Sequence, residues 1–436
     1  VVGLAPSPLP LLVFSVTIFL VFRHPRLRLP GNRYLHLDYG LAPLLGALIL
    51  LPFVGPGTAV RGVEGWGGLR PYSILILILS LSYLCLSLDY RGLFEYLSLH
   101  LTRLSGGSGR KLFFLLFLLT SFLTLFTDND IVILTMTFII FYLARRSGAD
   151  PLPFLLCQFF TVNTLGMALY IGNPTNFVVG DGMGLDFVEF ARWMLLPSLV
   201  GAFTGFGLLF LLFRSRIPSR LSPPEVEPSS VLRERRGVGI GLLSLSSSLL
   251  FMSLPQELRR IPMWSGVLLL SLPTLLYDLL VYGRKIPPLR RVPWKLVPFL
   301  LGLFIQVEAL SSCGWTSLLA SHLGFPGTWS TLFLTALLSS LLAGVMNNHP
   351  MAIFMVRTLQ SPEYPGMRKA AALGLIAGSN LGANLMLTGA LAGLMWAKLL
   401  SDKGYNLSFS RFSLYGFSVT LPVMAVISLL LGLELG

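Results

Sequence analysis

The chain reads as long apolar runs separated by short polar turns. Candidate spans fall at residues 10–22, 40–54 and 72–88, then a close pair at 112–126 and 131–143, then 152–180 and 193–213. A second series follows at 237–254, 263–282 and 296–313, then a close pair at 329–345 and 350–360, then 370–400 and 411–433. A hydrocarbon core of roughly 30 Å asks for about 20 apolar residues per helix. Each series therefore predicts three spans, a pair too short for two comfortable crossings, a long run interrupted by polar residues, and a final span. The repeated order predicts an all-α membrane protein of two inverted repeats, with about ten transmembrane helices, two re-entrant helical hairpins and two unwound helices. The first repeat covers 1–213, with its hairpin at 112–143 and its broken helix at 152–180. A cytoplasmic linker occupies 214–236, and the second repeat covers 237–436, with a hairpin at 329–360 and a broken helix at 370–400.

Composition supports the class, since 54% of the 436 residues are apolar and only 12% charged. No water-soluble core could hide that much apolar surface. The net charge of +13 would suggest nucleic acid in a soluble protein, but here the basic residues sit in short loops and report topology instead. Basic stretches occur at Arg23 to Arg33, Arg91 to Lys111, Arg145 with Arg146, Arg214 to Arg236 and Arg284 to Lys295, while the 181–192 loop carries Asp181, Asp186 and Glu189 against one arginine. If both close pairs enter and leave on one side, all the basic loops are cytoplasmic, the acidic loop is outside, and both termini face outside a multi-pass inner membrane protein.

The linker, with Pro218, Pro223, Pro224 and Pro228, reads as a solvated connector. Tyr90 to Leu104 fits an interfacial helix carrying His100. The first apolar run precedes its basic cluster of Arg23, Arg26 and Arg28, the reverse of a cleavable signal peptide, so it is expected to be retained. Because residue 1 is Val, the sequence is expected to lack its initiator. Cys85, Cys157 and Cys313 show no paired spacing, so no disulfide framework, metal site or cofactor is expected. No HExxH, GxSxG or other catalytic set occurs, which argues against an enzyme.

Four polar clusters interrupt the apolar runs: Thr127-Asp128-Asn129-Asp130, Tyr170-Ile171-Gly172-Asn173-Pro174-Thr175-Asn176, Met346-Asn347-Asn348-His349-Pro350, and Gly378-Ser379-Asn380-Leu381-Gly382-Ala383-Asn384 followed by Thr388-Gly389. Gly and Pro unwind helices, and backbone freed at membrane depth is tolerated only inside protein or beside a wet cavity. Asparagine donates and accepts without charge, which suits a neutral hydroxylated solute or a partly dehydrated ion. Knitting helices together is the plainer use of such amides; the repeated order favours a site. Asn129, Asn173, Thr175, Asn176, Asn347, Asn348, Asn380, Asn384 and Thr388 are the candidate substrate-binding residues, and the amides of both repeats are expected to line one central cavity.

At these clusters the chain resembles the ion transporter superfamily, and within it the ArsB-type arsenite and antimonite efflux family. Asn129-Asp130-Ile131-Val132-Ile133-Leu134-Thr135-Met136-Thr137-Phe138 is similar to the first family signature, with Phe138 where the family has Pro. Asn173-Pro174-Thr175-Asn176 resembles its Asn-x-x-Asn element, and Met346-Asn347-Asn348 its Met-Asn-Asn. The last signature resembles 378–384 with Gly389-Ala390-Leu391-Ala392, but Asn380 stands for Asp and Asn384 for Lys, which removes a charge pair. The resemblance implies a scaffold with a mobile transport part, alternating access, and arsenite or antimonite leaving against protons. It admits a homodimer and an arsenical-pump ATPase as partners.

Proton coupling needs a buried titratable group. Asp130, which matches the family motif, ranks first. Asp128 either shares that role or caps a half-helix, and Glu308 is either a coupling group or an end-of-span residue reaching water. His349 is expected to be a capping or solvated histidine, and Asp278 to be structural. The other reading keeps the fold and makes the solute sodium or another small ion, held by Asp128 and Asp130.

Overall fold

The computed structural model describes residues 6–23, 25–29, 33–221, 227–255 and 257–436, with backbone alone at 26–29, 33–36 and 145–147. Pro223 and Pro224 of the linker, and the side chains of Arg26, Arg28, Arg33, Arg145 and Arg146, lie outside the described residues. The predicted runs appear as helices at nearly their predicted bounds. Continuous helices span Pro8–Arg23, Leu41–Val54, Pro71–Tyr90, Phe187–Phe213, Arg235–Ser253, Met263–Tyr282, Leu296–Ser312 and Phe409–Leu435. Together with two broken helices they make the predicted set of about ten crossings. Eight helices among the described residues, the first arm of each hairpin included, are long and apolar enough to cross a membrane.

Outward faces explain the composition. Leu243 and Leu250 on one helix, and Leu276 and Leu280 on the next, are exposed where lipid is the only solvent that suits them. Inside this shell, Arg91 and Asp278 are fully buried and ion-paired, with Tyr83 and Ser87 donating to the same carboxylate. That assigns Asp278 the structural role expected of it, since either charge alone would be costly there.

Three short elements escape the hydrophobic pattern: a β-hairpin pairing Arg26–Leu29 with Arg33–His36, and the helices Pro56–Glu64 and Trp315–His322. Leu93–Leu104 forms the amphipathic helix predicted there, with His100 stacked on Tyr96.

The first hairpin is Gly109–Phe126 with Asn129–Ser147, and the second is Thr328–Met346 with Asn348–Leu359. Their first arms, of 18 and 19 residues, are longer than the apolar runs alone suggested. The helices continue through the polar and basic residues at their ends. Both ends of the first hairpin nevertheless meet the same segment: Leu221 donates to the Gly107 carbonyl at 2.7 Å, and Arg216 pairs with Asp150 at 2.5 Å. Both ends of the second likewise meet the start of the next helix, where Thr328 Oγ1 donates to Met367 Sδ at 3.5 Å and Arg368 donates to the Ser361 carbonyl at 2.9 Å. Each pair thus returns to the end it came from.

The broken helices run in opposite senses between these ends. Leu152–Leu165 starts beside Asp150, and its continuation, Pro174–Gly182, finishes where Gln360 donates to the Gly182 carbonyl. Arg368–Leu385 starts at that second end, and Leu391–Asp402 returns toward the first, where Tyr405 reaches Asp150 at 3.5 Å. The first end also gathers the Asp38–Lys295, Asp89–Arg291 and Arg103–Glu227 pairs. The second gathers Glu308 with Arg61 and Arg357, and Glu189 with Lys369.

Candidate functional site

Each polar cluster first does local work. Asp128 Oδ1 accepts the Asp130 amide at 3.1 Å and starts the second arm of the first hairpin. Asn347, at φ +73°, does the same for the second hairpin, its Oδ1 accepting the His349 amide at 3.3 Å. Asn173 Oδ1 accepts the Thr175 amide at 3.0 Å, and Pro174 fills the first helical position, where its missing N–H costs nothing. Asx caps thus begin three of the four half-helices, while the fourth begins at Ala390 without a side-chain cap.

Glycine permits the breaks themselves. A β-carbon on Gly172 would lie 2.3 Å from the Gly166 carbonyl oxygen, and one on Gly389 would lie 2.4 Å from that of Gly382. In both repeats the three-residue turn after the break, Tyr170–Gly172 or Leu387–Gly389, folds back against the last turn of the preceding half-helix. Only a residue without a side chain allows that approach.

The amides then join the repeats. Asn129 Nδ2 donates to Asn163 Oδ1 at 3.4 Å, and Asn163 Nδ2 donates to Asn384 Oδ1 at 3.0 Å. Asn384 in turn donates to the Phe160 carbonyl at 3.2 Å. A second chain runs from Asn173 Nδ2 to Asn380 Oδ1 at 2.9 Å and from Asn380 Nδ2 to Asn176 Oδ1 at 2.9 Å. Asn176 uses its own donors on the carbonyls of Gly166 and Leu169, at 2.6 and 2.7 Å. These carbonyls lie in the unwound segment, so the side chain replaces the partners that unwinding removed. Thr175 Oγ1 lies 3.2 Å from Ser379 Oγ.

Six predicted residues are thus brought together, and they bond one another rather than lining an open space. Asn347 and Asn348 stand apart at the second tip. Asn347 Nδ2, Asn348 Oδ1 and His349 Nε2 are buried and find no hydrogen-bond partner among the described residues. His349 is only 3% exposed, its ring set edge-on to Phe299, which corrects the solvated half of the expectation of a capping or solvated histidine; the cap itself is Asn347. Thr388 Oγ1 donates to the Gly344 carbonyl at 2.6 Å, tying the second broken helix to the second hairpin.

The open space lies on the other side of the first tip. A cavity of about 780 Å³ is lined by Tyr39, Asp89, Asp128, Asp130, Pro174 and Arg291, among others. Through Asp89 and Arg291 it belongs to the first end of the bundle. Asp128 spends one oxygen on its cap, whereas Asp130 makes no ion pair among the described residues. No cluster of three or more His, Cys, Asp or Glu that could hold a metal occurs among the described residues.

Glu308 belongs elsewhere. It is 2% exposed and bonded to Arg61 at 2.8 Å and Arg357 at 3.0 Å, at the end opposite the cavity. Of the two expectations for Glu308, that of an end-of-span residue reaching water does not hold. Arg357 also lies over the Trp66 ring, 5.0 Å from its centroid.

Sequence reading missed Asn163, the amide joining the first tip to the second repeat. Its signal was present: an amide three residues before Gly166 inside an apolar run, with Gln158 five residues earlier donating to the carbonyls of Val132 and Ile133. Tyr39 and Asp89 gave no comparable signal, because polar residues at span ends are ordinary.

Known proteins resemble the chain as a whole. A family model described as a citrate transporter matches residues 18–372. An arsenical pump membrane protein of Escherichia coli is 27% identical, covering 97% of this chain and 98% of its own. One of Yersinia enterocolitica is 29% identical, covering 83% and 85%. Among solved structures, the YdaH transporter of Alcanivorax borkumensis superposes with a TM-score of 0.58 at 14% identity, over 98% of this chain and 97% of that one; at that identity the likeness concerns the fold.

Proposed function

The chain belongs to the citrate transporter family of membrane proteins, and on that premise we propose that it exports arsenite or antimonite in exchange for protons by alternating access. Relatives named as arsenical pump membrane proteins over nearly the whole chain support the solute. The observation that carries the coupling is Asp130, a carboxylate that makes no ion pair among the described residues and stands on the wall of a cavity of about 780 Å³ reaching the first hairpin tip. In this reading the end with the basic loops is cytoplasmic, the linker 214–236 lies there, and both termini lie outside. The cavity is then the inward-facing vestibule, and the Glu308 cluster seals the outer side.

Asp130 takes its proton from the outer side when the transport part opens there and releases it to the cytoplasmic vestibule. The neutral trihydroxy acid travels the other way. Amide hydrogen bonds suit such a solute, because Asn380 and Asn384 leave the broken helices uncharged and each bond exchanged for a solute hydroxyl costs little. Binding therefore requires the amide chains to open, which makes them part of the conformational change. A homodimer and an arsenical-pump ATPase belong to the same proposal as partners.

Everted vesicles from an efflux-deficient host test the solute. Arsenite uptake that rises with an imposed proton gradient and collapses with a protonophore is the expected result. The two carboxylates on one wall also fit a small cation, so sodium uptake under the same gradient, with no arsenite uptake, would replace the solute.

A further inference from the structure

At the end opposite the vestibule a second cavity, of about 560 Å³, opens between the start of the Met263–Tyr282 helix and the first broken helix. Arg70, Arg259 and Arg260 border it, Tyr170 and Asp181 lie on the broken-helix side, and Trp264 stands at the rim. Arg259 is unusual here, because its Nε and Nη1 are buried and find no acceptor among the described residues. A guanidinium presents several fixed donors, and leaving two of them buried without an acceptor is costly, a cost that an anion relieves.

None of these three arginines makes an ion pair among the described residues. The carboxylates that might have answered them are engaged. Asp181 Oδ2 accepts the Arg70 backbone amide at 3.3 Å, and Asp186 Oδ1 caps the next helix through the Glu189 amide at 2.7 Å. Three guanidiniums against these two carboxylates leave the lining net positive. Apolar residues are exposed on either side of Arg259 and Arg260 in the chain: Leu258 is 67% and Ile261, which lines the cavity, 40% exposed. Unpaired guanidinium donors beside exposed apolar residues match a phosphate that arrives with an acyl chain attached, and the volume exceeds what a lone anion needs.

We infer that this cavity is a binding site for a phosphate-bearing anion, held by the Arg259 guanidinium with Arg70 and Arg260 supplying charge. The anion is a phospholipid headgroup or free phosphate; both present the same oxygens to the guanidinium. The occupant would touch the long scaffold helices and the broken helix together, and so bear on how readily that end opens.

The test is thermal unfolding of the purified full chain in an uncharged detergent, titrated with phosphatidylglycerol and separately with inorganic phosphate. Phosphatidylglycerol is expected to raise Tm saturably, with an apparent affinity about tenfold weaker in Arg259→Gln. Arg259→Lys, which keeps charge but loses the fork, should fall between. Competition by inorganic phosphate against the lipid assigns recognition to the headgroup phosphate. Stabilisation by phosphate alone, lost in Arg259→Gln, assigns the site to a soluble anion. Should Arg259→Gln fail to give a monodisperse peak, the paired Arg70→Gln and Arg260→Gln variant takes its place with the same expected loss. Equal responses of wild type and these variants, or an equal loss in Arg284→Gln at the other end, would mean unspecific charge binding and overturn the site.

Discussion

The two hairpin tips share a backbone plan and differ in chemistry. At the first, Asp128 caps the second arm and Asp130 faces a cavity of about 780 Å³. At the second, Asn347 caps the arm and the following Asn348 and His349 are buried, with no carboxylate among them. The first tip is open and acidic; the second is closed and lacks a carboxylate, and its second arm is fastened by Arg357 to Glu308. Identical folds at opposite ends thus carry unequal loads. Charge that changes with conformation belongs where water reaches it, and uncharged amides belong where it does not. On the proposed function, this asymmetry lets two copies of one fold divide coupling from sealing.

The largest effect is expected where the two repeats are tied. Asn380→Leu leaves Asn173 Nδ2 and Asn176 Oδ1 without the partners they have now, a cost of about 2–4 kcal/mol for two buried groups. Thermal unfolding in detergent should show a clear drop in Tm and transport should be lost; an unchanged Tm would mean that the amide chains do not hold the repeats together.

Next come the glycines. Gly172→Ala and Gly389→Ala each place a β-carbon within 2.4 Å of a carbonyl oxygen of the preceding half-helix, and backbone cannot swing aside as a side chain can. About 1–3 kcal/mol is expected for each. Similar losses in both would show that the repeats use the same break; a loss in one only would make the breaks unequal as the tips are.

Glu308→Gln should be milder, about 1 kcal/mol, because Arg61 and Arg357 both retain access to water. Its proton-driven flux should retain the wild-type dependence on the pH gradient, since Glu308 lies at the end away from the vestibule. A flux that no longer responds to the gradient would return the coupling role to it.

Most of the frame was legible because membrane helices announce themselves by length and apolarity. The bounds of the Met263–Tyr282 helix, and the break between Leu165 and Pro174, follow from apolar runs and from Gly-Asn-Pro respectively. The short Pro56–Glu64 helix was illegible, as its nine residues are too few and too polar to look like a span. At the site, the amides were legible as a group but their pairing was not. Nothing in sequence says that Asn163 rather than Asn173 meets Asn384, because that depends on how two broken helices cross. The roles of the acids were half legible. Asp128 beside a helix start suggests a cap, whereas the arginines that occupy Glu308 come from segments 247 residues before it and 49 after it in the chain.

The central claim is that the acidic tip carries the proton. Wild type and Asp130→Asn are reconstituted in vesicles, and arsenite binding to the purified proteins is measured beside flux under an imposed pH gradient. The asparagine keeps the shape and hydrogen bonding of the side chain but cannot titrate. Binding should stay within about threefold of wild type, since the hydrogen-bonding groups are retained, while gradient-driven flux falls to the level of empty vesicles. Wild-type flux in Asp130→Asn would contradict the claim and pass the role to Asp128, the remaining carboxylate at that tip.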